Sequence, residues 1–308
     1  MRGLIASAAA ATSIGFVLAV PAAADPVPFF FSTGTPDGKI ATASRPSTGA
    51  PFEIESADDF AITTPTLITS ATFTGLLTGT NPTIGQVVVE IYEVFPNLSD
   101  TNRTSGPPIF STNNVPTRVN SPSDRELDDR DSMKGNLTFT TSVLSTSFMA
   151  ANSIQPGGIP VPFTTPTGGN GSVTGEEVQF NVNFTDPFDL PFDLPTNSGH
   201  FFFVPQVEVT GGDFLWLSAP RPIVPPGTQF PPGFTDLQSW TRDTMLEPDW
   251  LRVGQDIVGG TTFNATFSLT GVTVPEPASL SLLGAALVGM GLFGRRGRRN
   301  QTSAPTST

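Results

Sequence analysis

In the stretch Thr262-Phe263-Asn264-Ala265-Thr266-Phe267-Ser268-Leu269-Thr270 every apolar residue stands on an odd position. A period of two puts those side chains on one face of an extended chain and the polar ones on the other. It suits a half-buried strand and no helix. The same alternation appears in Val178-Gln179-Phe180-Asn181-Val182-Asn183-Phe184 and in Leu137-Thr138-Phe139-Thr140. Residues 68–77, 86–94, 200–209 and 214–217 are further strand candidates, rich in β-branched and aromatic side chains. The 31 prolines and 30 glycines lie mostly between these runs, where they end strands and make turns. No body segment of a dozen residues has a period near 3.6. The expected fold class is therefore all-β: an antiparallel β-sandwich, jelly-roll-like or Ig-like, with long Pro/Gly-rich loops. Three segments read as such loops: 96–134 with its charged run from Asp124 to Asp131, 155–175, and the proline-dense 220–234. The pair Pro187-Phe188-Asp189-Leu190 and Pro191-Phe192-Asp193-Leu194 is a local duplication, since nothing else recurs at a fixed period.

The two ends differ from this body. Met1-Arg2, an apolar stretch over 4–20 and Ala22-Ala23-Ala24 before Asp25 predict a signal peptide, residues 1–24. The Sec translocon and signal peptidase are the partners it implies. Toward the other end come Val274, Pro275, Glu276 and Pro277, an apolar run over 280–293, and the cluster Arg295, Arg296, Arg298 and Arg299. Arginine clusters stay on the cytoplasmic side, so this order predicts one transmembrane helix, residues 278–294, with everything before Val274 facing away from the cytoplasm. At about 1.5 Å per residue the strictly apolar run spans roughly 21 Å, short of a hydrocarbon core of about 30 Å. A short anchor suits a segment that is held briefly and then cut. The expected division is 1–24 signal peptide, 25–271 exported β-sandwich domain, 272–299 sorting signal and 300–308 cytoplasmic tail.

Helix-breaking tripeptide, apolar span and arginine stop together resemble the PEP-CTERM sorting signal of Gram-negative bacteria, with Pro275-Glu276-Pro277 as its tripeptide. The resemblance implies cleavage near that tripeptide by an exosortase, an integral-membrane cysteine peptidase, in bacteria that make exopolysaccharide. Four body stretches also resemble proteins carrying this signal: Ala57-Asp58-Asp59-Phe60, Glu90-Ile91-Tyr92-Glu93-Val94-Phe95-Pro96, Pro116-Thr117-Arg118-Val119-Asn120-Ser121-Pro122, and 214–254. That likeness adds cellular context and no chemistry.

All 27 acidic residues but only ten of the 15 basic ones lie between Asp25 and Glu276, leaving that part at −17. Such a charge disfavours nucleic acid and anionic lipid as partners and suits a self-repelling surface protein. The chain has no cysteine, which excludes thiol catalysis, cysteine-based metal sites and disulfide staples.

Candidate chemistry is sparse. His200 is the single histidine, and no Gly-x-Ser-x-Gly elbow accompanies it, so a strand-entry role is expected rather than a catalytic triad. Glu176-Glu177, Asp58-Asp59, and Asp243 with Glu247 and Asp249 are the carboxylate groupings that glycoside hydrolysis would need. No metal site and no cofactor are expected. Calcium on loop oxygen ligands is the ion that the acidic run from Asp124 to Asp131 best suits, although the glycine of an EF-hand loop is missing. Trp216, Trp240 and Trp250 lie close together, with Arg221, Arg242, Arg252 and Asp249 interleaved. They suit either sugar stacking, with Trp216, Trp240, Trp250, Arg242 and Asp249 as the glycan-binding residues, or a core corner tied by Arg–Asp pairs. With 25 phenylalanines against one tyrosine, aromatic residues favour the core.

The expectation is an exported, non-catalytic protein of the cell surface or exopolysaccharide matrix. It is anchored transiently in the inner membrane and processed by an exosortase. The alternative is a secreted polysaccharide-binding or polysaccharide-degrading protein that uses those tryptophans and carboxylates.

Overall fold

Strands form wherever the alternating runs predict them, and several extend well past the alternation. The computed structural model describes residues 25–48, 52–103, 118–155, 168–192, 199–220, 237–244, 246–259 and 262–274. The predicted signal peptide 1–24, the tripeptide Pro275-Glu276-Pro277, the predicted span 278–294, the four arginines and the tail 300–308 lie outside the described residues. Among the described residues no helix is long and apolar enough to cross a membrane.

In chain order the strands are β1 Pro28–Ser32, β2 Ile40–Ala43, β3 Ile54–Ala61, β4 Thr66–Leu77 and β5 Thr83–Val94. They continue with β6 Pro122–Asp131, β7 Leu137–Ala150, β8 Asn152–Ile154, β9 Val173–Leu190 and β10 His200–Thr210. The last are β11 Phe214–Ala219, β12 Trp240–Asp243, β13 Leu251–Arg252, β14 Asn264–Ala265 and β15 Phe267–Thr273. A π-helical turn at Val253–Val258 follows β13.

The strands make two sheets in a sandwich-like arrangement. In the nine-stranded sheet β4 is central. Strand β9 runs along one side of it, with β7 beyond. On the other side β15 follows most of β4 and leads to β1, while β11 pairs with the last residues of β4 and leads to β2 and β8. The six-stranded sheet runs β13-β12-β3-β10-β5-β6. All these pairings are antiparallel except β2 with β8.

The main core lies between the sheets. Phe60, Val89, Ile91, Phe201 and Phe203 of the smaller sheet meet Phe73, Phe180, Phe214, Trp216 and Phe267 of the larger one. Phe203 stacks on Phe267 at 5.1 Å between ring centroids, and Phe73 on Phe180 at 4.8 Å. A second buried cluster covers the opposite face of the smaller sheet: Ala57, Tyr92, Phe202, Val204, Trp240 and Trp250. Strands β3 and β10 are thus covered on both faces. This is why 200–209 reads as a nearly continuous apolar run rather than an alternation.

Three expectations need correction. The predicted loop 96–134 contains β6, whose acidic run Asp124–Asp131 pairs with β5. Its charges hid a strand because they find partners: Arg130 with Asp128 at 2.8 Å and Lys134 with Asp129 at 2.6 Å. The predicted loop 155–175 gives way to β9 at Val173, and its residues 156–167 lie outside the described residues. The run 262–270 is also divided. Thr266 leaves the ladder between β14 and β15, donating its N–H to the Leu217 carbonyl at 2.8 Å.

Candidate functional site: the sorting junction and the buried tryptophan layer

Strand β15 is held on both sides up to its last residue, with Pro28↔Val272 in the β1 ladder and Thr66↔Thr273 in the β4 ladder. The Thr273 N–H donates to the Val27 carbonyl at 2.8 Å, and the Val27 N–H to Thr273 Oγ1 at 3.2 Å. Val274 then donates its N–H to the Pro65 carbonyl at 2.7 Å. The start of the domain and its exit strand therefore lie side by side, and Pro275 follows immediately on a hydrogen-bonded residue. The β15 register shifts between Thr270 and Gly271, where a side chain would overlap the Leu67 carbonyl oxygen. Glycine is required there because two backbones approach closely.

On the outer face of the smaller sheet, Arg242 of β12 and Glu55 of β3 form a two-point ion pair through Nε with Oε2 and Nη2 with Oε1. Tyr92 Oη donates to Glu55 Oε1 at 2.6 Å, and Arg242 Nη2 donates to Tyr92 Oη at 3.0 Å. The remaining guanidinium nitrogen, Nη1, donates to the carbonyls of Asp124 and Pro248 at 3.1 and 3.0 Å. Trp250 caps the group, its ring centroid 4.3 Å from Arg242 Cζ. Its indole N–H donates to the Ser123 carbonyl at 3.1 Å.

Burial and the neighbouring Glu55 carboxylate push the Tyr92 hydroxyl well above its ordinary range. Burial, reinforced by Glu55 and Glu53, pushes the Glu90 carboxyl well up. Burial alone would lower the Arg242 pKa, but Glu55 more than offsets it, so the guanidinium stays charged. Such a layer can hold strands together. It presents no reacting group to solvent.

The three tryptophans, expected as a sugar platform or a core corner, are each 1 % exposed. Trp216 lies in the main core, edge-on to Phe203 and Phe267, with its indole N–H donating to the Thr266 carbonyl at 2.8 Å. Trp240 and Trp250 belong to the outer cluster. Arg242 and Asp249 are buried as well. None of these five residues offers a face on which a sugar ring could stack, so the glycan-stacking arrangement is absent from this structure. Arg252 pairs instead with Asp256, its Nη2 2.7 Å from Oδ1, and Arg221 lies outside the described residues.

Two of the three carboxylate groupings split, while Asp243, Glu247 and Asp249 share one turn. Asp58 and Asp59 are consecutive in β3, so they point to opposite faces of the sheet. Asp58 accepts the Ala265 N–H at 2.6 Å, and Asp59 accepts the Gln238 N–H at 2.9 Å. Glu176 and Glu177 divide in the same way on β9. Asp243 accepts the Leu246 N–H at 3.1 Å within its own turn. His200 enters β10 and bonds Asp59 Oδ2 through Nε2 at 2.8 Å, and burial pushes its pKa down to about 3. A shallow pocket of about 530 Å³ is lined by Leu98, Ser99, Asp100, Asp124, Arg125, Glu247 and Pro248. Its Asp124 is engaged by Arg118. Among the described residues no three acidic or imidazole side chains converge as metal ligands would.

Among the described residues of the four stretches that resemble other proteins with the sorting signal, several neighbour one another around the smaller sheet, while Phe214–Ala219 forms β11 of the larger one. Ala57-Asp58-Asp59-Phe60 lies in β3, and Glu90-Ile91-Tyr92 lies in β5. Arg118 stacks on Phe95 at 4.3 Å, the Phe95 N–H donates to the Ser121 carbonyl at 2.9 Å, and Arg242 with Trp250 closes the layer. Sequence reasoning missed Glu55 and the pairing of His200 with Asp59, because neither has a linear signal. Both depend on which strands become neighbours.

Comparison with curated proteins and with solved structures gave no match. A protein-family model described as the PEP-CTERM protein-sorting motif matches residues 273–299, beginning on the last residue of β15. The motif indicates an exosortase-processed, surface-targeted protein, with an exosortase as the processing partner and a transient stay at the membrane. The chain thus carries the PEP-CTERM sorting motif at residues 273–299 and is an exosortase substrate.

Proposed function

We propose that this chain is a non-catalytic component of the cell surface or exopolysaccharide matrix, released from the inner membrane by a cut near Pro275-Glu276-Pro277. The observation that carries this reading is the position of the tripeptide. The body is hydrogen-bonded through Val274, the residue directly before Pro275, so no separate module lies between the body and the motif. Proline forbids helix at 275 and 277 and biases the residue before it toward extended backbone, the form in which a peptidase reads a chain. The non-catalytic part of the reading is supported by the placement of the reactive side chains. His200, Asp58, Asp59, Arg242 and the three tryptophans are all committed to packing or to buried hydrogen bonds.

The test is the mass and cell fraction of the protein in its native host, with and without the exosortase. A form running from Asp25 to near Glu276, outside the inner membrane and dependent on the exosortase, is the expected result. Full-length chain in the inner membrane of both strains would overturn the processing. Shortening of the host's polysaccharide that depends on a single Asp or Glu of this chain would overturn the non-catalytic role.

A further inference from the structure

Strand β7 is an open edge of the larger sheet: among the described residues it pairs with β9 alone. Proteins usually blunt such edges with lysines, prolines or very short strands, because an unpaired backbone is a template for another strand. Strand β7 has 14 residues, Leu-Thr-Phe-Thr-Thr-Ser-Val-Leu-Ser-Thr-Ser-Phe-Met-Ala, with no charge and no proline. Indeed no charged residue occurs between Lys134 and Glu176, in a chain with 27 acids. Val143, Leu144 and Met149 are 55 %, 51 % and 61 % exposed. The ladder to β9 is unbroken from Leu137↔Phe184 to Val143↔Val178 and shifts register only beyond Val143. That leaves a straight, uncharged stretch from Leu137 to Val143.

We infer that this stretch is where two copies of the chain join, pairing antiparallel about a two-fold axis at Thr140. The sequence is self-complementary in that register. Leu137 faces Val143 of the other copy, Thr138 faces Ser142, Phe139 faces Thr141, and Thr140 faces itself. The offset is even, so each residue meets one from the same face, and the apolar face bearing Leu137, Phe139 and Val143 continues across the seam. Opposed threonine and serine hydroxyls stabilise such pairs. Charge selects a second copy as the occupant. Two strongly acidic bodies repel over most of their surfaces, and here they meet along a strip with no carboxylate. Glu176 and Glu177 stand one strand back on β9, and charges beyond a Debye length of about 8 Å are largely screened.

The absence of cysteine makes the test direct. Cα atoms of directly opposed antiparallel residues are about 4.5–5.5 Å apart, within the roughly 4.4–6.8 Å that a disulfide spans. Thr138 in the two copies would be four residues out of register, roughly 14 Å apart. Full-length Thr140→Cys, Thr138→Cys and Ser142→Cys are expressed in an oxidising compartment and run on non-reducing gels. The Thr140→Cys chain should form a reducible dimer at least tenfold more than either other single variant. The double variant Thr138→Cys/Ser142→Cys should recover it through two crossed bonds. All three positions are exposed, so the fold is not at stake. A flat profile, a maximum elsewhere or no dimer at all would overturn the proposal.

Discussion

Arg242 grips both carboxylate oxygens of Glu55 beneath the ring of Trp250, so a buried guanidinium and a buried carboxylate tie β12 to β3. Removing one partner strands the other charge away from water, which typically costs about 3–5 kcal/mol. Arg242→Met should therefore lower the melting temperature by roughly 6–20 °C for a domain of this size. Arg242→Met/Glu55→Leu should lose less than the sum of the single variants. Thermal unfolding of the four proteins checks this, and strict additivity would mean that the pair is not coupled.

Glu90 is the acid this layer tolerates least. Its folded pKa is raised above the ordinary value, chiefly by burial and then by Glu55 and Glu53. A raised carboxyl binds its proton more tightly when folded. Its contribution is therefore complete below the ordinary value near 4.5 and is lost as pH rises toward the folded value. Glu90→Gln should be more stable than the parent at pH 7 and equal to it below about pH 4. The amide N–H of a glutamine there can donate to Tyr92 Oη, which lies 3.2 Å from Glu90 Oε2. Denaturant midpoints across that range measure the difference, and a glutamine variant weaker at pH 7 would contradict it.

His200 works in the opposite direction. Burial holds its folded pKa at about 3, below its ordinary 6.5, so the neutral ring is the folded form. Its contribution is complete above 6.5 and falls away as pH drops toward 3, with a slope of at most about 1.4 kcal/mol per pH unit. His200→Gln keeps an N–H for Asp59 and should flatten the loss of stability between pH 6.5 and 4. The same denaturation series at pH 4, 5, 6 and 7 tests it, and an unchanged slope would rule His200 out as its source.

Gly271→Ala should loosen the end of β15, because a methyl group there would overlap the Leu67 carbonyl. The expected reading is faster amide exchange at Thr273 and Val274 with slower exchange kept in β5 and β10. Protection unchanged at both residues would show that the bulge can absorb a side chain.

Replacing Glu276-Pro277 with Ala-Ala should leave full-length chain in the inner membrane of a host that has the exosortase. Mass spectrometry of membrane and extracellular fractions decides it, and normal processing would remove the tripeptide from the cleavage signal.

Legibility followed exposure. Strands β9 and β15 alternate in the sequence because one face of each is wetter than the other, so both were readable. Strand β3 reads Ile-Glu-Ser-Ala-Asp-Asp-Phe-Ala and was invisible, since its acids are buried against Arg242, His200 and the Ala265 amide. Strand β6 was mistaken for a loop because its charges pair within the strand and with the turn that follows it, Arg130 with Asp128 and Lys134 with Asp129. The sorting motif was legible because a peptidase reads it linearly. The tryptophan layer was visible as a concentration of residues suited to a core corner, but the strands that cover it were not, because they come from distant parts of the chain.

The pairing of β15 with both β1 and β4 has a mechanical consequence. A load applied through residue 274 along the axis of β15 is parallel to both ladders. It is shared by seven paired positions on the β4 side and five on the β1 side at once, rather than opening them in succession. Strands loaded in shear resist far better than strands peeled from an end. A body pulled along this strand therefore yields as a whole rather than strand by strand.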